Sequence, residues 1–136
     1  MIDSLLLIGR PTDMDDVVLA ALQHARTTRA FCRIEDVWQV EDPVSLIVVL
    51  EHWPDEYPRE TIHRLLETFP LSRFMVVQGP WCASARRTRQ AWPAAVGVPV
   101  TEAIGRLRRE VDVIAGQRTP LPWTAGMDEI FAFDHS

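Results

Sequence analysis

The run SLIVVLE, residues 45–51, decides the fold. Its five consecutive aliphatic residues include three β-branched ones, which favours an extended chain. Successive side chains of a strand point to opposite faces, so a run without polar alternation needs apolar cover on both sides. That is the position of a central strand in a parallel sheet held between two layers of helices. Two further apolar runs read the same way: residues 5–8, LLLI, closed by Gly9, and residues 73–78, RFMVVQ, stopped by Gly79 and Pro80.

Helical periodicities separate these runs. The first helix is predicted after Thr12 or Asp13 as cap, with Asp13, Asp15 and Asp16 in the favourable first turn. Its apolar stripe is Met14, Val17, Val18, Ala21, Leu22 and Ala25. A second, more polar strand is predicted over residues 30–34, at an edge of the sheet. Residues 35–43 are too few for a long helix, so the second crossover shrinks to a turn or two. After the loop HWPDEYP, Pro58 opens a helix with the stripe Ile62, Leu65, Leu66 and Phe69. A short fifth strand is predicted in AAVGVPV, residues 94–100. The final helix, TEAIGRLRREVDVIAG, has the stripe Ile104, Leu107, Val111 and Ile114, with Thr101 as cap and Gly116 as stop. Alternation of this kind marks an α/β domain built from βαβ units. Residues 1–116 form that domain, and residues 117–136 are a tail that packs on it or on a second copy.

The bulk composition bounds the chemistry. The 136 residues suffice for one domain, and 47% apolar with 24% charged residues is ordinary for a globular protein. The apolar runs are far shorter than a membrane span, and the N-terminus reads as a strand rather than a signal peptide, so a cytoplasmic location is expected. A net charge of −5 speaks against general nucleic-acid binding. Cys32 and Cys82 show no metal-site or disulfide spacing, and both thiols are expected to be reduced. The sequence contains no lysine, which excludes Schiff-base catalysis, a P-loop lysine and a lysine general base.

Five strands and about four crossovers in this order resemble the response-regulator receiver domain. That resemblance covers residues 4–115 and rests on the pattern together with Pro54 after strand 3 and Pro99 in GVPV after strand 5. It implies a flavodoxin-like three-layer sandwich, a five-stranded parallel sheet of order 2-1-3-4-5, here with shortened second and fourth crossovers. Receivers hold magnesium with an acidic pair after strand 1, accept phosphate on an aspartate after strand 3, and use a hydroxyl after strand 4 and a lysine after strand 5. Here Gly9 and Arg10 stand at the first site. Leu50 falls at the acceptor position, or Glu51 with a slip of one residue. Gln78 lies near the hydroxyl position, and Val98 replaces the lysine. The resemblance therefore implies a degenerate receiver, whose inheritance is interaction rather than phosphorylation. Glu51 either mimics a permanently charged acceptor or is a strand-end carboxylate that stands in solvent or pairs with an arginine such as Arg10.

The loop GPWCASARRTRQAWP, residues 79–93, would leave strand 4 on the face where open α/β sheets bind ligands. Arg10, Glu51, His52 and Trp53 are expected on that face, with Trp81, Cys82, Arg86, Arg87, Arg89 and Trp92 from the loop. Arginine forks clamp carboxylate or phosphate, and tryptophans stack on rings or enter partner pockets. The plainer alternative is a short helix from near Ala83 with Arg86, Arg87 and Arg89 on its solvated face and the tryptophans covering the core edge. Enzyme readings of Cys82 fare poorly: a thiol at a helix N-terminus beside arginines could be activated, but free cysteines are more often buried and inert. A tyrosine-phosphatase loop would need arginine where Thr88 stands, and in a thioredoxin-like turn Ala85 replaces the second cysteine. Of the histidines, His24 and His63 lie on helices and His135 in the tail. His52 paired with Cys82 as base and nucleophile requires a tertiary contact.

The function expected from these residues is a non-catalytic signalling or protein-interaction module with no cofactor. Its partner would be another protein, or a second copy through the last helix and tail by analogy with receivers. The alternative is a sensor of a small anionic or nucleotide-like ligand bound by Arg10, Arg86, Arg87 and Arg89.

Overall fold

The computed structural model describes residues 1–85, 92–93, 96–122 and 125–135. Among them, β1 (Ile2–Ile8), β2 (Ala25–Phe31), β3 (Leu46–Glu51), β4 (Arg73–Gln78) and β5 (Gly97–Pro99) form one sheet. Its order is β2-β1-β3-β4-β5, and every pairing is parallel. As its uninterrupted apolar run requires, β3 lies in the middle and all six of its residues are buried.

Period-2 alternation splits the strands between two cores. Leu5, Leu7, Leu46, Val48, Leu50, Met75 and Val77 face α1 (Asp15–His24) and α3 (Ala103–Ile114), which contribute Val17, Ala21, Leu107 and Val111. Leu6, Ile8, Ile47, Val49, Phe74 and Val76 face α2 (Arg59–Thr68) and the 3-10 turn Ile34–Gln39, which contribute Ile62, Leu65, Ile34 and Val37. Burying each such side chain is worth roughly 1.5–3 kcal/mol, and β3 contributes such side chains to both cores. Three layers and this strand order define a flavodoxin-like α/β fold. The second crossover is the single 3-10 turn, and the fourth begins as a second one, Pro80–Ala85.

Several boundaries differ from the sequence expectation. β2 occupies Ala25–Phe31 rather than residues 30–34, and Ala25 opens the strand instead of closing the helical stripe. The reason is tertiary. Every residue of β1 from Ser4 to Ile8 takes a partner in β2, so the strand must begin directly at the end of α1. Leu22 is consequently exposed, while Ile34 is buried beyond the strand. Neither Thr12 nor Asp13 caps α1; Met14 holds the cap position, and Asp13 adopts a left-handed φ of 59°. β5 is only three residues long. Thr101 lies in a 3-10 turn, Val100–Glu102, ahead of α3 and does not cap it.

The tail carries α4 (Met127–Asp134), whose Ile130 and Phe133 gather with Leu121 and Ala125 against Val113 of α3. Arg106 of α3 is fully buried and donates through Nε and Nη2 to the carboxylate of Asp134. Removing one member of a buried ion pair strands the other, so this contact ties α4 to the domain. Among the described residues no helix is long and apolar enough to cross a membrane.

Candidate functional site

In a sheet of this order the chain runs outward from β1 in both directions. The switch between β1 and β3 opens a crevice at the C-terminal strand ends, the usual ligand position. Here that crevice is filled from within. Gly9 follows β1 with φ +114° and donates its N–H to Phe31 O at 2.8 Å. A Cβ on Gly9 would lie 2.6 Å from both Leu50 O and Tyr57 Oη, so only glycine fits this approach. Tyr57 is buried and donates its hydroxyl to Leu50 O at 2.8 Å. Burial raises the Tyr57 pKa well above its ordinary value, with a smaller push from Glu56, so the phenol remains a neutral donor.

Beside this plug, Glu51 ends β3 opposite Gln78 of β4. Its side chain is only 6% exposed, and three donors converge on the carboxylate. Trp92 Nε1 donates to Oε2 at 3.0 Å, Gln78 Nε2 to Oε1 at 3.4 Å, and Cys82 Sγ lies 3.7 Å from Oε1. Trp92 also meets Tyr57 edge to face, with centroids 6.5 Å apart. Burial pushes the Glu51 carboxyl above the usual carboxylate range. The bonds from Trp92, Gln78 and Cys82 oppose that shift, and Glu56 adds a smaller push upward.

These contacts correct the expectation that Glu51, Trp92 and Cys82 belong to a contact surface, and they bear out the plainer reading of Trp92 as core cover and of Cys82 as a buried thiol. Glu51 is neither a solvated carboxylate nor a charge displayed on the surface, because a buried acceptor must be satisfied by neighbouring donors. Trp92 is 7% exposed, with its indole N–H committed to Glu51, so it cannot reach an external ring or pocket. Cys82 is likewise 7% exposed, and burial, reinforced by the Glu51 charge, pushes its thiol up to about 12. His52 turns elsewhere: its Nε2 bonds the Arg10 carbonyl at 2.7 Å, and its backbone N–H donates to Glu56 Oε1 at 2.7 Å.

Arg10, His52 and Trp53 gather outside this plug. The Arg10 guanidinium lies 5.7 Å from the centroid of Trp53, a cation–π distance. Trp53 is 44% exposed and Trp81 75% exposed. His52 packs against Trp53 with centroids 6.4 Å apart. Arg86, Arg87 and Arg89 lie outside the described residues. Sequence reading missed Tyr57 and the structural part of Gly9. The available signal was that the chain's single tyrosine stands in the loop after the central strand, where a buried hydroxyl needs a backbone partner. Among the described residues, no three His, Cys, Asp or Glu side chains cluster as metal ligands.

Fold and site thus define a flavodoxin-like α/β domain whose strand-end crevice is occupied by its own side chains. No family model matches the sequence, and no curated protein matches it. A solved structure does resemble it. The crystal structure of adenylate cyclase from Rhodopirellula baltica aligns with a TM-score of 0.54 and 14% identity, covering 86% of this chain and 95% of that one. At that identity the likeness carries the fold alone.

Proposed function

We propose that this chain is a pseudo-receiver: a non-catalytic signalling module that is not phosphorylated and that meets a protein partner through Arg10, Trp53 and Trp81. The observation that carries this reading is the plug at the β1–β3 switch point, where Tyr57 Oη, Leu50 O and Gly9 occupy the place of a ligand. A strand-end carboxylate that is buried and engaged by Trp92, Gln78 and Cys82 is poorly placed for phosphoryl attack. The exposed Trp53 beside Arg10, together with the exposed Trp81, by contrast has the composition of protein-interface anchors.

Two measurements test the reading. Incubation with acetyl phosphate and magnesium should leave the intact mass unchanged, and an acid-labile phosphoryl adduct would refute the degenerate-site assignment. Native affinity purification from the source cell, followed by mass analysis of co-eluting proteins and small molecules, should recover a protein that Trp53→Ala/Trp81→Ala loses. A small anion lost in Arg10→Ala or Arg86→Ala/Arg87→Ala/Arg89→Ala, with no protein lost, would make the chain a ligand sensor instead.

A further inference from the structure

The two edges of the sheet are treated very differently. β5 is three residues long and ends in Pro99, so it offers almost nothing to an incoming chain. β2 runs for seven residues, ARTTRAF, with no proline, no glycine and an unbroken register with β1 from Thr27 to Phe31. Phe31 O accepts from Gly9 N toward β1, so by strand alternation the backbone groups of Arg26, Thr28 and Ala30 point away from the sheet.

The face beside that edge is also thinly covered. The 3-10 turn replaces a full second helix and leaves a cleft of about 170 Å³. Ser4, Leu6, Thr27, Arg29, Val40 and Val44 are among its lining residues. Asp42, the partner of Arg29, also lines it, and it has room for one aliphatic side chain of an added strand.

Charge selects the occupant. The ionisable side chains of β2 are both arginines, Arg26 and Arg29, and Arg33 follows closely. Their acidic neighbours stand at 3.8 Å (Asp3), 4.0 Å (Asp42) and 3.7 Å (Glu35), all in exposed pairs of little strength that a better-placed carboxylate can displace. A second copy is the wrong partner. Fully overlapped antiparallel β2 strands would set the two Arg29 side chains diagonally across the new seam, and like charges there oppose pairing.

We propose that the β2 edge is a strand-addition site for an extended, acidic, β-branched segment of another protein, with one aliphatic residue seated in the cleft. Such recognition takes its affinity from main-chain bonds and its selectivity from alternate side chains. This surface is separate from the Arg10–Trp53–Trp81 face and stands or falls independently of it.

The test is a random dodecapeptide display selection on the immobilised full chain. The strongest peptide is then measured by fluorescence anisotropy and mapped by amide chemical shifts. Expected are peptides rich in Val, Ile or Thr with an acidic residue on each face of the strand, one for Arg26 and one beside the cleft for Arg29, shifts concentrated at Arg26, Thr28 and Ala30, and at least a tenfold affinity loss in Arg26→Glu/Arg29→Glu. N-methylation of alternate peptide amides leaves the protein untouched and should cost a similar factor. The proposal is overturned if no peptide is enriched, if binders are neutral or basic, if the shifts map elsewhere, or if N-methylation in either alternation has no effect. Self-association through β2, seen as line broadening at these amides on concentration, would overturn it in favour of a second copy.

Discussion

Replacing Trp92 with phenylalanine removes one hydrogen bond and keeps most of the ring. In the native state Trp92 Nε1 donates to Glu51 Oε2 at 3.0 Å, and both side chains are buried, so no water takes the place of the lost donor. A bond to a charged acceptor is worth about 1.5–3 kcal/mol and one to a neutral acceptor about 0.5–1.5 kcal/mol. The cost of Trp92→Phe therefore depends on the ionisation of Glu51. Where the carboxylate is charged, the larger figure applies, and at roughly 4 °C per kcal/mol for a chain of this size Tm falls by about 6–12 °C. In acid, where Glu51 is neutral, the loss shrinks to the smaller figure.

The companion variant, Glu51→Gln, fixes the sign. Burial raises the folded pKa of Glu51 above its unfolded value, so the folded state holds the proton longer. The contribution of Glu51 to wild-type stability then declines as pH rises through the unfolded carboxylate range to the folded value, and is constant beyond. Glutamine retains an oxygen for the Trp92 N–H and carries no charge, so Glu51→Gln should match the wild type in acid and exceed it at neutral pH. Urea unfolding of wild type, both single variants and the double variant at pH 4 and 7.5 measures all of this. If Trp92→Phe costs under about 0.5 kcal/mol at both pH values, or Glu51→Gln is destabilising at pH 7.5, the buried-carboxyl account is wrong.

The glycine plug and the thiols give two further tests. Gly9→Ala forces a Cβ to 2.6 Å from Leu50 O and Tyr57 Oη at a φ that side chains rarely adopt. Strain of about 1–3 kcal/mol plus a displaced tyrosine and an orphaned carbonyl should remove about 3 kcal/mol or more, read by urea unfolding; a loss below 1 kcal/mol would show that the crevice is not tightly filled. Iodoacetamide at pH 8 should label the native protein once, at exposed Cys32, and twice after unfolding, because Cys82 is buried with its thiol pushed up to about 12. Rapid native labelling at Cys82, located by peptide mass, would contradict its burial.

Much of the fold was legible in local pattern. The uninterrupted run of β3 demanded cover on both faces, and the stripes Ile62–Leu65 and Leu107–Val111 supplied it from opposite layers. The misplacement of β2 shows where such reading stops. No glycine or proline separates α1 from the strand, and Ala25 suits a helical stripe as well as a strand end. Pairing with the length of β1, a long-range constraint, chose between them.

The site was less legible for a related reason. The sequence by itself determined that Gly9 and Arg10 follow the first apolar run, that Leu50 and Glu51 close the central one, that Gln78 ends the next, that lysine chemistry is excluded, and that tryptophan and arginine cluster after β4. Those are facts of residue identity and spacing. Only the tertiary structure decided that Trp92 turns inward to Glu51 while Trp81 stays outside, and that Tyr57 fills the switch point against Gly9. Burial and hydrogen-bond partners depend on which segments meet across the sheet. Glu51 and Trp92 stand forty-one residues apart, a separation at which neither residue type reveals its partner.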